Sequence, residues 1–146
     1  MYPPRLEGMS HESAELLLRG YHAFVDGDLD AIGTMLDPDV EWVPAGGSAA
    51  VVISRDRVLE VVAERAAENY RVVVDRAIGL GDRVVVSMRF SRIELDPSDE
   101  RPLQSRRSYL LGRWAAVVYM RDGRVVRVEE HPHLEAALEA AGLEAE

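Results

Sequence analysis

Apolar residues recur at helical spacing between Ser10 and Asp26, at Ala14, Leu17, Leu18, Tyr21, Phe24 and Val25, so the first element is a helix with one buried stripe. Ser10 is placed to cap it, Glu12 suits its positive end, and Gly27 stops it. Asp28 caps a second, short helix carried by Leu29, Ile32, Met35 and Leu36 and ended by Asp37-Pro38. Val40 to Pro44 reads as a short strand. A third helix over about Arg55–Asn69 buries Val58, Leu59, Val62 and Ala66. The period then changes to two. Arg71–Leu80 and Arg83–Glu94 are strands rich in Val, Ile and Phe, separated by the hairpin signal Gly79-Leu80-Gly81-Asp82. A polar loop with Pro97 and Pro102 leads into a long strand, about Ser105–Met120, and Arg121-Asp122-Gly123 turns into a last one, Arg124–His131. Pro132 breaks that strand, and His133–Ala141 forms a closing helix ended by Gly142.

Helices set apart from consecutive hairpin strands predict an α+β domain, with helices packed on one face of a curved antiparallel sheet. A chain of 146 residues and 16.2 kDa suits one core. Residues 1–9 read as a loose lead-in and residues 10–146 as the single domain. Acids outnumber bases 26 to 17, giving a formal charge of −9, and no basic cluster exceeds Arg106-Arg107. Such a chain is poorly suited to gripping phosphate backbones, so no nucleic-acid partner is expected. With no cysteine, disulfides, thiolate zinc sites and a cysteine nucleophile are excluded. No apolar run reaches the roughly 18 residues that span a bilayer. The start of the chain lacks a charged-then-apolar leader pattern, and the expectation is a cytoplasmic protein with no membrane partner. All 17 basic residues are arginine, a bias we attribute to a GC-rich genome.

Two stretches carry a resemblance. Gly27-Asp28-Leu29-Asp30 followed by Leu36-Asp37-Pro38-Asp39-Val40-Glu41-Trp42-Val43-Pro44 resembles the front end of the SnoaL-like branch of the nuclear-transport-factor-two-like superfamily. The run Arg121–Glu130 and the helix ending Ala-Leu-Glu-Ala-Ala-Gly-Leu resemble its back end. The likeness spans roughly residues 10–143. It implies a cone-shaped sheet wrapped by three helices from the N-terminal half plus a C-terminal helix, enclosing a pocket for a small apolar organic ligand. It does not imply one activity, because polyketide cyclases, ketosteroid isomerases, limonene epoxide hydrolases and non-catalytic binding modules share the fold. The tyrosine, base aspartate and protonated aspartate of an isomerase-like enzyme fall here on Gly20, Pro44 and Ala116. In an epoxide-hydrolase-like pattern Arg83 matches the arginine and Glu130 the second aspartate, but Val85 replaces the first. Neither catalytic set is complete.

Glu130 is the strongest candidate for chemistry. On the last strand Val126, Val128 and Glu130 share one face, and Arg127 and Glu129 the other. A carboxylate that continues an apolar face is partly desolvated, which suits a general base or acid. The alternative is a solvated rim residue or a structural partner of an arginine. Arg89 is the candidate assistant. The resemblance implies that Arg83, Val85, Ser87, Arg89 and Ser91 face the pocket, leaving Val84, Val86, Met88 and Phe90 as an outward apolar face for a homodimer partner. Periodicity alone prefers the reverse, with Arg89 a surface charge. Trp42 and Trp114, with Pro44, Ala116, Val118 and Val128, are expected to line the pocket and would suit terpenoids, steroids or aromatic polyketides. Tyr21, on the buried stripe of the first helix, is either a lining residue or core.

His131 and His133 flank Pro132. His131 beside Glu130 is a candidate proton shuttle, and His133 a metal candidate or a helix cap. Adjacent strand residues point opposite ways and no third histidine has suitable spacing, so no metal is expected. Phosphate loop, dinucleotide fingerprint and serine-histidine-acid set are all lacking, and no cofactor is expected. Ala45–Ile53 reads as a flexible lid. Two function classes remain: a cofactor-free isomerase, cyclase or hydrolase using Glu130, and a non-catalytic ligand-binding or protein-interaction module.

Overall fold

The computed structural model describes residues 5–44, 51–67, 70–95 and 106–142. Helix α1 (His11–Asp26) begins where the Ser10 side chain accepts from the Ser13 amide at 3.1 Å, and ends at Gly27, whose φ of 68° is one a residue with a Cβ adopts only under strain. The Asp28 carboxylate caps α2 (Leu29–Met35) by accepting from the Ala31 amide at 3.1 Å. Helix α3 covers Arg55–Ala67, and α4 covers Leu134–Ala140. His133 is the N-cap of α4, its Nδ1 accepting from the Ala136 amide at 3.1 Å. The strands are β1 (Arg5–Glu7), β2 (Leu36–Val43), β3 (Val52–Ile53), β4 (Tyr70–Leu80), β5 (Arg83–Leu95), β6 (Arg106–Arg121) and β7 (Arg124–His131).

Together they form one seven-stranded sheet in the order β1-β4-β5-β6-β7-β2-β3. The α+β class holds, but the sheet is mixed and not antiparallel throughout. Its centre, β4 to β7, is the antiparallel meander that the hairpin signals predict; β1 joins β4 and β2 joins β7 in parallel. A parallel pair needs no hairpin turn, so local turn signals carry no trace of it. Strand β1 lies within the stretch expected to be a loose lead-in. Strand β2 starts at Leu36 and not at Val40, taking in Asp37-Pro38-Asp39. Its register against β7 shifts between Leu36 and Glu41, so Pro38, which has no amide hydrogen, sits where the ladder is interrupted. Of the expected lid, Val52 and Ile53 form β3 against β2, and residues 45–50 lie outside the described residues, as do Asn69, Pro97 and Pro102.

The two faces of the sheet are covered differently. On the inner face α1, α2 and α3 supply Tyr21, Ala23, Ile32, Val58 and Val62, packed with Leu36, Val40, Val74, Ala77, Val84 and Val86. On the outer face α4 lays Ala137 and Ala141 over Val85, Ala115 and Val117. Val85 and Val117 are fully buried there, each side chain contributing about 1.5–3 kcal/mol. Small residues on both sides of the outer contact let the short α4 approach closely; the inner contact is left with room to spare.

Candidate functional site

That room is a cavity of about 200 Å³ between the inner face and the three N-terminal helices. Strand β7 brings its chemistry in. Asp122 and Gly123, with φ of 54° and 76°, form the tight turn that reverses β6 into β7, and the left-handed values at both positions match the twist of the strands they join. From there the alternation of β7 points Val128 and Glu130 inward. Glu130 is 6% exposed, the buried charged side chain among the described residues. Trp42 Nε1, on the neighbouring β2, donates to Glu130 Oε1. An acid sits in a largely hydrocarbon-lined chamber with the indole of an adjacent strand fixing one of its oxygens.

The expected site residues divide cleanly. Trp42, Tyr21, Ala116, Val118, Val128 and Glu130 all line the cavity. Pro44 follows β2, is partly exposed and is not part of the lining. Trp114 shares the inner face of β6 with Ala116 and pairs with Met88, but it is 36% exposed and lies beyond the lining. Arg89 and His131 are not brought to Glu130. Arg89 Nε donates to both Asp75 oxygens at 3.0 Å, on the face opposite Val86 and Met88. His131 points to the outer face, with Nε2 3.9 Å from Glu129 Oε1 and no hydrogen-bond partner among the described residues.

This overturns the face assignment that the resemblance implied for β5 and bears out the one that periodicity preferred. Val84, Val86 and Met88 pack inward with Tyr21, and Val85 packs outward under α4. The expected outward apolar face on β5, the ground for a homodimer, is therefore turned to the cavity. Sequence reasoning also missed several lining residues: Leu16, Met35 and Met120 among them. The apolar set of α2 contained the signal for Met35, whereas Leu16 falls outside the stripe read on α1. Met120 follows Ala116 and Val118 by plain alternation; the register shift beside it skips Val126 on β7, so that Val125 enters the lining where alternation had put Val126.

Outside the cavity the charged residues of β2 and β7 pair with each other. Arg127 bridges two carboxylates, Glu41 at 2.5 Å and Glu129 at 3.0 Å, and Tyr119 donates to Glu129 at 3.2 Å. Burial works against the charge on Arg127, but Glu129 and Glu41 more than offset it, and its affinity for a proton rises. The Tyr119 hydroxyl is pushed above its ordinary value by burial and by Glu129, against the pull of Arg83 and Arg127. Tyr21, in the lining, is also raised, by burial first and by the Asp75 carboxylate second, with Arg89 opposing. The cavity thus contains an acid, an indole donor and a phenol held protonated through neutral pH. Among the described residues no group of three His, Cys, Asp or Glu side chains is arranged to hold a metal ion, and no helix is long and apolar enough to cross a membrane.

The SnoaL-like domain model matches residues 17–128, from α1 to β7. No curated protein matches the chain. Among solved structures, TerC co-crystallised with polyporic acid is 27% identical, with a TM-score of 0.63 over 88% of this chain and 96% of its own. A protein of Jannaschia sp. CCS1 described as a SnoaL-like polyketide cyclase is 20% identical, with a TM-score of 0.63 over 92% and 96%. A protein with a ketosteroid isomerase-like fold from Catenulispora acidiphila, in complex with trimethylamine, is 18% identical, with a TM-score of 0.61 over 88% and 93%. The last two likenesses concern the fold alone. With the family model running from the first helix to the last strand, over most of its length, the chain belongs to the SnoaL-like domain family.

Proposed function

We propose that this protein binds a small apolar organic molecule in the cavity and moves a proton on it, or on a water beside it, with Glu130 as the acid–base group and no cofactor. The observation that carries this reading is the burial of Glu130 in the apolar lining with Trp42 donating to it. A desolvated carboxylate held in one orientation needs little reorganisation when the proton moves. Tyr21, neutral in the same chamber, supplies a hydroxyl for orienting a polar group of the substrate. TerC with polyporic acid supports an organic small molecule as the occupant.

A second reading, a binding or interaction module without turnover, is favoured by one observation: Arg89 and His131, the expected assistants, both lie off the lining. Glu130→Gln separates the two. The substitution keeps the size of the side chain and its acceptor oxygen, so ligand binding by calorimetry or thermal shift is retained. In the catalytic reading turnover of terpene epoxides, enolisable ketones or aromatic polyketide intermediates is lost. If the wild type binds such compounds and converts none of them, the module reading stands.

A further inference from the structure

Strand β7 enters the sheet through two irregular ladders. Against β2 the register shifts between Leu36 and Glu41, and against β6 it shifts between Tyr119 and Met120. Arg127 lies in the first row after both shifts, opposite Glu41 on one side and Tyr119 on the other. The rows that follow are regular and carry the site: Trp42–Val128–Val118, then Val43–Glu129–Val117, then Glu130 opposite Ala116. The indole of Trp42 thus reaches Glu130 diagonally, past its own partner Val128.

The stretch before Glu41 does not hand this register on. Leu36 and Val125 pair ahead of the shift. Between them and Glu41, Pro38 has no amide hydrogen and the Asp39 amide donates to Asp37 Oδ1 at 2.9 Å. On its far side β2 is held through Glu41 and Trp42 by β3, itself an edge strand. Alternation excludes a slip of one residue, which would turn Trp42 outward, but a slip of two leaves every side chain on its own face. Charge separates those registers. With Asp39 brought opposite Arg127, Glu41 would stand opposite Glu129, like charge against like. With Val43 there instead, Arg127 would lose Glu41. In the observed register Arg127 donates to Glu41 at 2.5 Å and to Glu129 Oε2 at 3.0 Å, and the Tyr119 hydroxyl holds the other Glu129 oxygen at 3.2 Å.

We infer that Arg127, on the outer face and away from the cavity, sets the β2–β7 register that lays the Trp42 indole on Glu130. It is a positioning residue: its charge, shared between Glu41 and Glu129, selects one of the registers that hydrophobic alternation leaves equal. As a statement about turnover this rests on the acid–base reading proposed above; as a statement about register it does not.

The test reads the indole N–H resonances of the two tryptophans in isotope-labelled protein, assigned with Trp42→Phe. Glu130→Gln sets the position that the Trp42 resonance takes without the carboxylate. In Arg127→Gln the Trp42 resonance should split in two or move at least halfway to that position, with the Trp114 resonance unmoved. Arg127→Lys, which keeps the charge, should restore the wild-type position. If Arg127→Gln lowers the melting temperature and leaves both resonances in place, the ion pair is merely stabilising; the inference is overturned and the acid–base reading survives. Equal displacement in Arg127→Gln and Arg127→Lys overturns it too, because charge then does not select the register. Should Arg127→Gln not fold, Glu41→Gln removes the same contact from the β2 side and decides by the same criterion. A Trp42 resonance indifferent to Glu130→Gln removes the Trp42–Glu130 contact itself, and both the inference and the acid–base reading fall.

Discussion

Trp42 and Glu130 stand on neighbouring parallel strands, and the indole Nε1 of the first donates to the carboxylate of the second inside the cavity. The contact does two jobs at once. It satisfies a buried acceptor, and it fixes the orientation of the carboxylate in the cavity. Trp42→Phe retains a ring and removes the donor. Leaving a buried acceptor short of a partner costs about 1–3 kcal/mol. Urea denaturation should show that loss, and a stability equal to that of the wild type would mean the hydrogen bond contributes nothing net.

Arg127 bridges Glu41 and Glu129 on the outer face while lying 39% exposed itself. Solvent screens such pairs, so Arg127→Met should destabilise by only about 1 kcal/mol. The loss should be larger at low ionic strength, where the two stranded carboxylates repel over a longer range, and should shrink as salt is added. A salt-independent difference would assign the effect to lost packing of the side-chain stem.

Tyr21 and Tyr119 both keep their protons more tightly in the folded chain, because burial and a neighbouring carboxylate disfavour the phenolate. A folded-state value raised above the unfolded one contributes stability that is complete below the unfolded value, near 10.0, and is lost as the pH rises through the folded one. The alkaline limb of stability should therefore fall steeply above pH ~10, and Tyr119→Phe should flatten it. The slope is the readout, since removing the hydroxyl also removes its bond to Glu129 and lowers the whole curve. Parallel limbs for the two proteins would exclude Tyr119 as a source of the pH dependence.

Gly79 lets β1 lie against the sheet. A Cβ there would come within 2.6 Å of the Met9 Cγ and 2.8 Å of the Gly8 carbonyl oxygen, and backbone cannot swing aside as a side-chain tip can. Gly79→Ala should cost about 1–3 kcal/mol by overpacking. Amide exchange at Arg5, Leu6 and Glu7 should accelerate while β5 and β6 stay protected; uniform acceleration would mean that β1 is not a separable edge.

The sequence makes the strand and helix order legible wherever neighbours in the chain are neighbours in space. Ser10, Asp28, Gly81 and Gly123 mark their caps and turns by residue type alone. Alternation correctly turned Val84, Val86 and Met88 inward, because hydrophobic burial is a direct consequence of that pattern, whereas a family's face assignment depends on register, which differs from one member to another. The same alternation placed Glu130 on the side of Val128. What escaped was the pairing of distant segments: β1 is three residues long, β2 pairs with β7 across most of the chain, and neither contact has a local signature. Arg89 and His131 were mistaken for partners of Glu130 because closeness in sequence or charge type says nothing about which face a strand presents.

The Trp42–Glu130 contact spans 88 positions. A chain that has emerged only through β6 has β4, β5 and β6 of the meander and the three helices of the inner face, yet it presents an open apolar trough with no Glu130 and with β2 paired to β3 alone. Adding β7 joins β2 to the rest of the sheet and delivers the carboxylate in one step. Contacts of such separation are slow to form, because the loop entropy is lost before the contact is gained. Until then the inner face is a sticky surface, and the interval before β7 docks is when this chain is most exposed to aggregation.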